Sequence, residues 1–425
     1  MTATAGAPTY RSLLAVPEFR VLLGGFVLFG TGFQLEILGL SVLVYARTSS
    51  PLLSAVSFGV GFLPQLVGGA LLTSLADRLR PRSAIALGLL VRGAPGLVIG
   101  ILPALPVGAM LGLVAASAAT SPVVSAATLG LLPELLEGER YVLGRSVFNF
   151  VMSGTQLLGL ALGGVVLALV PPADLLLAAG AALVAAAAVT RAGLHHRPPR
   201  APAGHGRRVG VVRATVHGNL ALLVDPHVRG LLLAMWLPVW CVTGAESLLV
   251  AYVGASGAPA SAASVVLAPL PIGMLVGNVV LGRCVREPVR RRLTLPLALA
   301  TGLPLLGFAL TPALGVAVVL LGLTGLALGY VLGLQQPFLD SVPVARRGQA
   351  FGLNSTGTMG GQGLTPLLFG AVATVVTVGP AIALAGLAST GAALALRCTL
   401  GGRAAAARFA EQRSTEELLH RGDDG

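Results

Sequence analysis

The sequence predicts an all-α polytopic membrane protein with twelve transmembrane helices in two pseudo-symmetric halves of six. Three observations carry this. Of 425 residues, 55% are hydrophobic and only 10% charged, where a soluble chain is about a quarter charged. The mean hydropathy of +0.87 is spread over the whole length, leaving room for about a dozen runs of roughly 20 residues, the length that crosses a bilayer. The second half also repeats features of the first. A soluble enzyme is excluded.

The apolar runs fall near residues 20–45, 52–76, 84–102, 107–130, 143–169, 173–191, 228–252, 261–281, 293–310, 313–335, 350–376 and 379–398, numbered here as spans 1 to 12. Pro51, the Pro103/Pro106 pair, Pro171-Pro172 and Thr311-Pro312 break the chain between adjacent spans, and proline there marks tight turns. Those turns carry almost no charge. The other connections are basic: Arg78, Arg80 and Arg82 follow span 2, six arginines between Arg191 and Arg213 follow span 6, Arg283 to Arg292 follow span 8, and Arg346-Arg347 follow span 10.

All 28 basic residues are arginine. With Arg47 in an outward turn and Arg92 inside a span, the other 26 lie on one side, which the positive-inside rule makes cytoplasmic. Both termini are therefore expected in the cytoplasm of a multi-pass protein of the cell membrane. In a cysteine-free background, an impermeant thiol reagent applied to sealed cells is expected to label a cysteine placed at Ser256 and not one at Gly204. Labelling at Gly204 would overturn this topology. The net charge of +12 sits in short loops against lipid, so no nucleic acid partner is expected.

The longest basic connection divides the chain into a first half (1–190), a cytoplasmic linker (191–226), a second half (227–398) and a cytoplasmic tail (399–425). The linker opens RAGLHHRPPRAPAGHGRR, without an acid. Val209, Val212, Val216, Leu220 and Leu223 then recur at helical spacing, predicting an amphipathic helix along the inner membrane face. The N-terminus lacks a basic region and a small-residue cleavage site ahead of span 1, so no cleaved signal peptide is expected. Cys241, Cys284 and Cys398 are an odd number with no metal or disulfide spacing.

The halves repeat in register. Pro17, Arg20 and Glu36 correspond to Pro226, Arg229 and Glu246; Pro64 and Gly68 to Pro269 and Gly273; Gln156 and Gly164 to Gln362 and Gly370; Asp77-Arg78 falls on Gly282-Arg283. Glutamate and glutamine matches inside apolar runs are harder to obtain by chance than glycine matches in a chain with 57 glycines. A six-plus-six parallel duplication is the plan of major facilitator superfamily (MFS) transporters.

The motifs agree with that plan. Thr73 to Arg82, TSLADRLRPR, resembles the superfamily's cytoplasmic signature at Asp77, Arg78 and Arg82, with Thr73 and Arg80 replacing its glycines. Gly159-Leu160-Ala161-Leu162-Gly163-Gly164 resembles its antiporter motif, with Leu160 in place of proline, and the repeat partner in span 11 keeps the proline as Pro366. The stretch from Tyr45 to Arg78, with Arg92 following in span 3, resembles actinobacterial drug and siderophore exporters. That group often has an aspartate at the position of Phe33 and another before the span-3 arginine; both are absent here. The resemblance implies the MFS fold, a gating loop at Asp77, Arg78 and Arg82, and close helix packing through Gly159, Gly163, Gly164 and Pro366.

Only three charged residues lie deep in spans: Glu36, Arg92 and Glu246. Such residues are costly in hydrocarbon and mark ion or substrate paths. At 1.5 Å per residue, Glu36 lies about 24 Å beyond Arg20 and Arg92 about 15 Å beyond Arg82, so a Glu36–Arg92 pair requires helix tilt or side-chain extension. Glu36 and Glu246 are the candidates for proton coupling, and Arg92 is the candidate charge partner. Gln34, Gln65, Asn149, Gln156, Asn278, Asn354 and Gln362 are candidates to line a cavity walled mostly by aliphatic residues. Trp236 and Trp240, four apart, share a helix face and are candidates for substrate contact or core packing.

No Walker loop, Ser-His-Asp set or metal cluster is present in the sequence, so no enzyme activity and no cofactor are expected. The expected function is proton-coupled efflux of small organic compounds by a monomer in the lipid bilayer. An uptake carrier and a non-transporting membrane sensor on the same fold are the alternatives.

Overall fold

The computed structural model describes residues 10–72, 79–136, 139–199, 217–343 and 346–397. Among them every regular element is a helix. In a bilayer no water satisfies the backbone, and a helix pairs all its own peptide groups.

The spans appear in the expected order. Span 1 is Pro17–Thr48, span 2 is Pro51–Gly59 with Leu63–Leu71, span 3 is Pro81–Ile101, and span 4 is Val107–Ala118 with Ser121–Leu135. Span 5 is Glu139–Leu169 and span 6 is Pro172–Gly193. In the second half, span 7 is Pro226–Ser247 with Leu249–Ala255, and span 8 is Ala262–Leu267 and Pro269–Val279 closed by the π-helical turn Val280–Cys284. Span 9 is Glu287–Ala300 with the 3₁₀ segment Pro304–Leu310, and span 10 runs from Leu314–Ala327 through Leu328–Tyr330 to Val331–Ser341. Span 11 is Arg347–Val375 and span 12 is Val378–Ala395.

Ten of these stretches are both long and apolar enough to cross a membrane by composition. Glu139–Leu169 and Arg347–Val375, of 31 and 29 residues, complete the twelve by length. Residues 217–224 are helical; the rest of the expected amphipathic stripe lies outside the described residues, as does Cys398. Cys241 and Cys284 are free thiols.

Proline sets many of the starts. Pro17, Pro51, Pro81, Pro172 and Pro226 each occupy the first turn of a helix, where the missing N–H is no loss. Arg47 donates from Nη1 to the Leu105 carbonyl at 3.0 Å, tying the turn between spans 1 and 2 to the turn between spans 3 and 4.

Two compact units emerge from packing. One comprises Met1–Gly206, Ser247–Pro271 and Gln362–Val378; the other comprises Arg207–Glu246, Ile272–Gly361 and Gly379–Gly425. In the first, Phe19, Leu22, Leu89, Leu131, Phe148 and Leu183 join spans 1, 3, 4, 5 and 6 in one apolar core. Lipid is as apolar as leucine, so close backbone approach at small residues does much of the helix pairing. A Cβ on Gly93 would meet the Gly180 carbonyl at 2.8 Å, joining spans 3 and 6. In the second unit Gly302 and Gly386 join spans 9 and 12 in the same way.

The repeat reappears in these contacts. A Cβ on Gly68 would strike the Ala119 carbonyl of span 4, and one on its counterpart Gly273 would strike the Gly322 carbonyl of span 10. In the first unit, Gly164 of span 5 abuts Ser264 of span 8, while its counterpart Gly370 of span 11 abuts Leu52 and Ala55 of span 2.

Candidate functional site

The three deep charges were expected from hydropathy, and packing determines their partners. Span 3 packs along span 6, and span 6 along span 1, which brings Arg92 against Glu36: Nη2 lies 2.5 Å from Oε2. The approach is off the hydrogen-bonding line, so it is a charge contact and neither Glu36 oxygen accepts a hydrogen bond in the described structure. Arg92 is 1% exposed and Glu36 3%. Arg92 Nη1 donates to Ser117 Oγ at 2.9 Å, and that hydroxyl donates to the Val114 carbonyl at 2.9 Å. The Phe33 ring covers the guanidinium, with its centroid 5.3 Å from Cζ, a cation–π contact. Phe62 meets Phe33 edge-on at 5.3 Å.

Glu246 occupies the equivalent place on span 7. It is 8% exposed, and its side chain makes no hydrogen bond or ion pair with any described residue.

Trp236 and Trp240 stack at 5.8 Å with 5° between their planes. Trp236 Nε1 donates to the Asn354 side chain at 2.9 Å, and Trp240 Nε1 donates to the Gly357 carbonyl at 3.1 Å. Gly357 and Gly361 of span 11 lie directly against the two indoles. Tryptophans four apart thus seat on glycines four apart, and both indole N–H groups are engaged by span 11.

Gln65 Nε2 donates to the Gly61 carbonyl at 2.5 Å. Gln34 and Gln362 are half-buried and Asn278 is exposed. Asn149 and Gln156 lie on span 5, with side chains outside the described residues, and Asp77 and Arg78 lie outside them altogether. Arg82 begins span 3, and its Nη1 donates to the Leu194 carbonyl at 3.4 Å.

In span 5, a Cβ on Gly159 would strike Gln34 and lie 3.2 Å from the Thr31 carbonyl; one on Gly163 would lie 2.6 Å from Leu38 Cδ2. Span 5 therefore meets span 1 through the motif glycines. Pro366 is 3.1 Å from a Cβ built on Gly59, joining spans 11 and 2. Gly163→Leu is expected to abolish transport, whereas Leu160→Pro, which restores the motif residue, is expected to be milder. Transport assays at matched membrane levels check the order, and its reversal would make the glycines incidental.

One cluster was not expected from sequence. Glu18, 8% exposed, accepts both terminal nitrogens of Arg197 at 2.7 Å and the His195 backbone N–H at 2.7 Å. Arg197 Nε also lies 3.5 Å from Glu134. Hydrogen bonding to Glu18 raises the Arg197 pKa above its ordinary value, keeping the pair charged. The contact ties the start of the linker to the N-terminal end of span 1 and the C-terminal end of span 4. Its only sequence signal is an acid in the first turn of a membrane helix, and the partners lie 179 residues apart.

Similarity to known proteins agrees with this architecture. A sequence profile of the Major Facilitator Superfamily matches residues 21–342. Among solved structures, the nucleoside transporter NupG superposes with a TM-score of 0.69 at 13% identity, covering 90% of this chain and 99% of that one. A bacterial homologue of the human lysosomal transporter Spinster gives 0.63 at 15%, covering 90% and 95%. The peptide transporter POT gives 0.69 at 13%, covering 92% and 95%. No curated protein sequence matches significantly. With its helices, its repeat and this profile match in agreement, the chain belongs to the Major Facilitator Superfamily.

Proposed function

We propose that this protein is a proton-coupled secondary transporter that exports small organic compounds across the plasma membrane by alternating access. Residues 1–190 and 227–398 are the moving halves, joined by the cytoplasmic linker 191–226. The observation that carries the reading is the burial of two carboxyl side chains, Glu36 and Glu246, at repeat-equivalent depth in spans 1 and 7. An acid kept in such a place at such cost marks an ion path. Exchange of its proton supplies the driving force when the site faces one side and then the other. Family membership supports carriage of a small molecule, and the likeness of the Tyr45–Arg92 region to drug and siderophore exporters supports the outward direction.

Expression in an efflux-deficient host, with a panel of labelled organic compounds, tests the function. Lower accumulation that a protonophore reverses is the expected result. Higher accumulation would assign uptake instead, and no change for any compound would favour a sensor.

Asp77, Arg78 and Arg82 are proposed as the cytoplasmic gating loop. Asp77→Asn is expected to reduce transport at unchanged membrane level, and unchanged transport removes that role.

A further inference from the structure

We infer that the second half carries a binding site for an anionic phospholipid, formed by Arg283, Arg286 and Arg292 at the junction of spans 8 and 9 together with the exposed apolar face of span 8. This goes beyond the transporter reading and does not depend on it.

The argument begins with charge. From Arg283 to Arg292 the chain has five arginines and one acid, Glu287. Glu287 is engaged by Arg291, whose Nη2 lies 2.7 Å from Oε1, and Arg290 Nη1 donates to the Leu281 carbonyl at 3.5 Å. Arg283, Arg286 and Arg292 are exposed and make no hydrogen bond or ion pair with any described residue. Their charges are left without a counter-charge from the described chain.

The first half treats the equivalent loop differently. There Arg80 Nη1 lies 2.8 Å from His196 Nε2, and Arg82 Nη1 donates to the Leu194 carbonyl, so the start of the linker covers the arginines. The sequence also places an acid in that loop, Asp77, which falls on Gly282 in the repeat. The second half has lost the acid and kept the basic residues.

The apolar part of the site shares a face with the charge. Ile272, Val276, Val279, Val280 and Arg283 recur at helical spacing and are all exposed. The stripe runs into the π-helical turn Val280–Cys284, which carries Arg283. On span 9, Val289 is exposed between Arg286 and Arg292. Span 10 holds the two arginine-bearing ends together: Leu281 lies against Gly329 and Thr294 against Gly333.

A ligand that fills both parts has a negative head and a long apolar body. A free phosphate or a nucleotide would use the arginines and leave the valines untouched. A phospholipid of the leaflet that meets the arginine-rich loops supplies both: its phosphate takes the guanidinium groups, and an acyl chain lies along Ile272, Val276 and Val279. The lipid then provides the negative charge that the first half keeps in its own chain.

Native mass spectrometry of the full-length protein, released from detergent containing equal amounts of phosphatidylglycerol and phosphatidylcholine with the same acyl chains, reads the site. Preferential retention of phosphatidylglycerol is expected. Arg283→Gln, Arg286→Gln and Arg292→Gln are each expected to weaken it about fivefold, and the triple variant to lose the preference. Arg140→Gln/Arg145→Gln/Arg191→Gln, which removes the same charge from the first half, is expected to keep it. Equal loss in the two triple variants would mean that net charge alone holds the lipid, and overturns the site. Equal retention of the two lipids by the parent overturns it as well, leaving the arginines to water or to an acidic protein segment. Inorganic phosphate is expected to leave the lipid in place. Displacement by phosphate would make this a free-anion site and overturn the lipid assignment.

Discussion

Removal of Arg92 alone is expected to be among the most damaging single changes in the chain, and removal of both members of its pair much less so. In Arg92→Met the Glu36 carboxylate remains buried without its counter-charge, and breaking a buried pair in this way costs about 3–5 kcal/mol. Glu36→Gln leaves the guanidinium stranded and is expected to cost a similar amount. Replacing both at once removes the charge and its desolvation penalty together, an exchange that is often close to neutral. The double variant Glu36→Gln/Arg92→Met is therefore expected to recover most of the thermal stability and membrane level that either single variant loses. Detergent-solubilised melting of the four proteins checks this. Additive losses in the double variant would mean that the two side chains act independently, despite the 2.5 Å approach.

The second large effect is expected at Gly164 and Gly370. Each is the point at which a span of one half receives the N-terminal end of a span from the other: Gly164 meets Ser264, and Gly370 meets Leu52 and Ala55. A leucine at either position overpacks the contact, at a cost of about 1–3 kcal/mol. If the contact forms in one transport state and parts in the other, a penalty of that size shifts the two populations by about 5- to 150-fold. Gly164→Leu and Gly370→Leu are each expected to increase labelling of a cysteine introduced at Gln34 by an impermeant reagent outside the cell, and to reduce transport. Because the positions are repeat-equivalent, both changes are expected in the same direction. An increase from one and not the other would show that the second contact is not part of the gate.

Particular residues show how far the sequence was legible. The twelve spans were readable because the bilayer imposes one solution on every long apolar run. Pro17 and Pro226 start helices at corresponding places, and Gly68 and Gly273 make corresponding backbone contacts, as their offsets implied. Glu36, Arg92 and Glu246, the charges expected inside spans, are all buried. Their partners were not readable. Axial counting separates Glu36 from Arg92, and only the packing of spans 1 and 3 against span 6 brings them into contact. Phe33 places a ring face over the guanidinium. The Trp236/Trp240 spacing was visible, while the glycines that receive the rings lie more than a hundred residues away.

By itself, then, the sequence determined what each segment does along the membrane normal: which runs are long and apolar enough to cross, where the arginine-rich loops fall, and that the second half repeats the first. Hydropathy and charge act along that axis, and each segment obeys them alone. The tertiary structure determined everything lateral: that Glu36 is neutralised by Arg92, that Glu246 makes no ion pair among the described residues, and that Glu18 holds the start of the linker through Arg197. Lateral neighbours are chosen by the fit of small residues and side-chain shapes between helices, where lipid offers no hydrophobic guidance, and that fit exists only once the helices have packed.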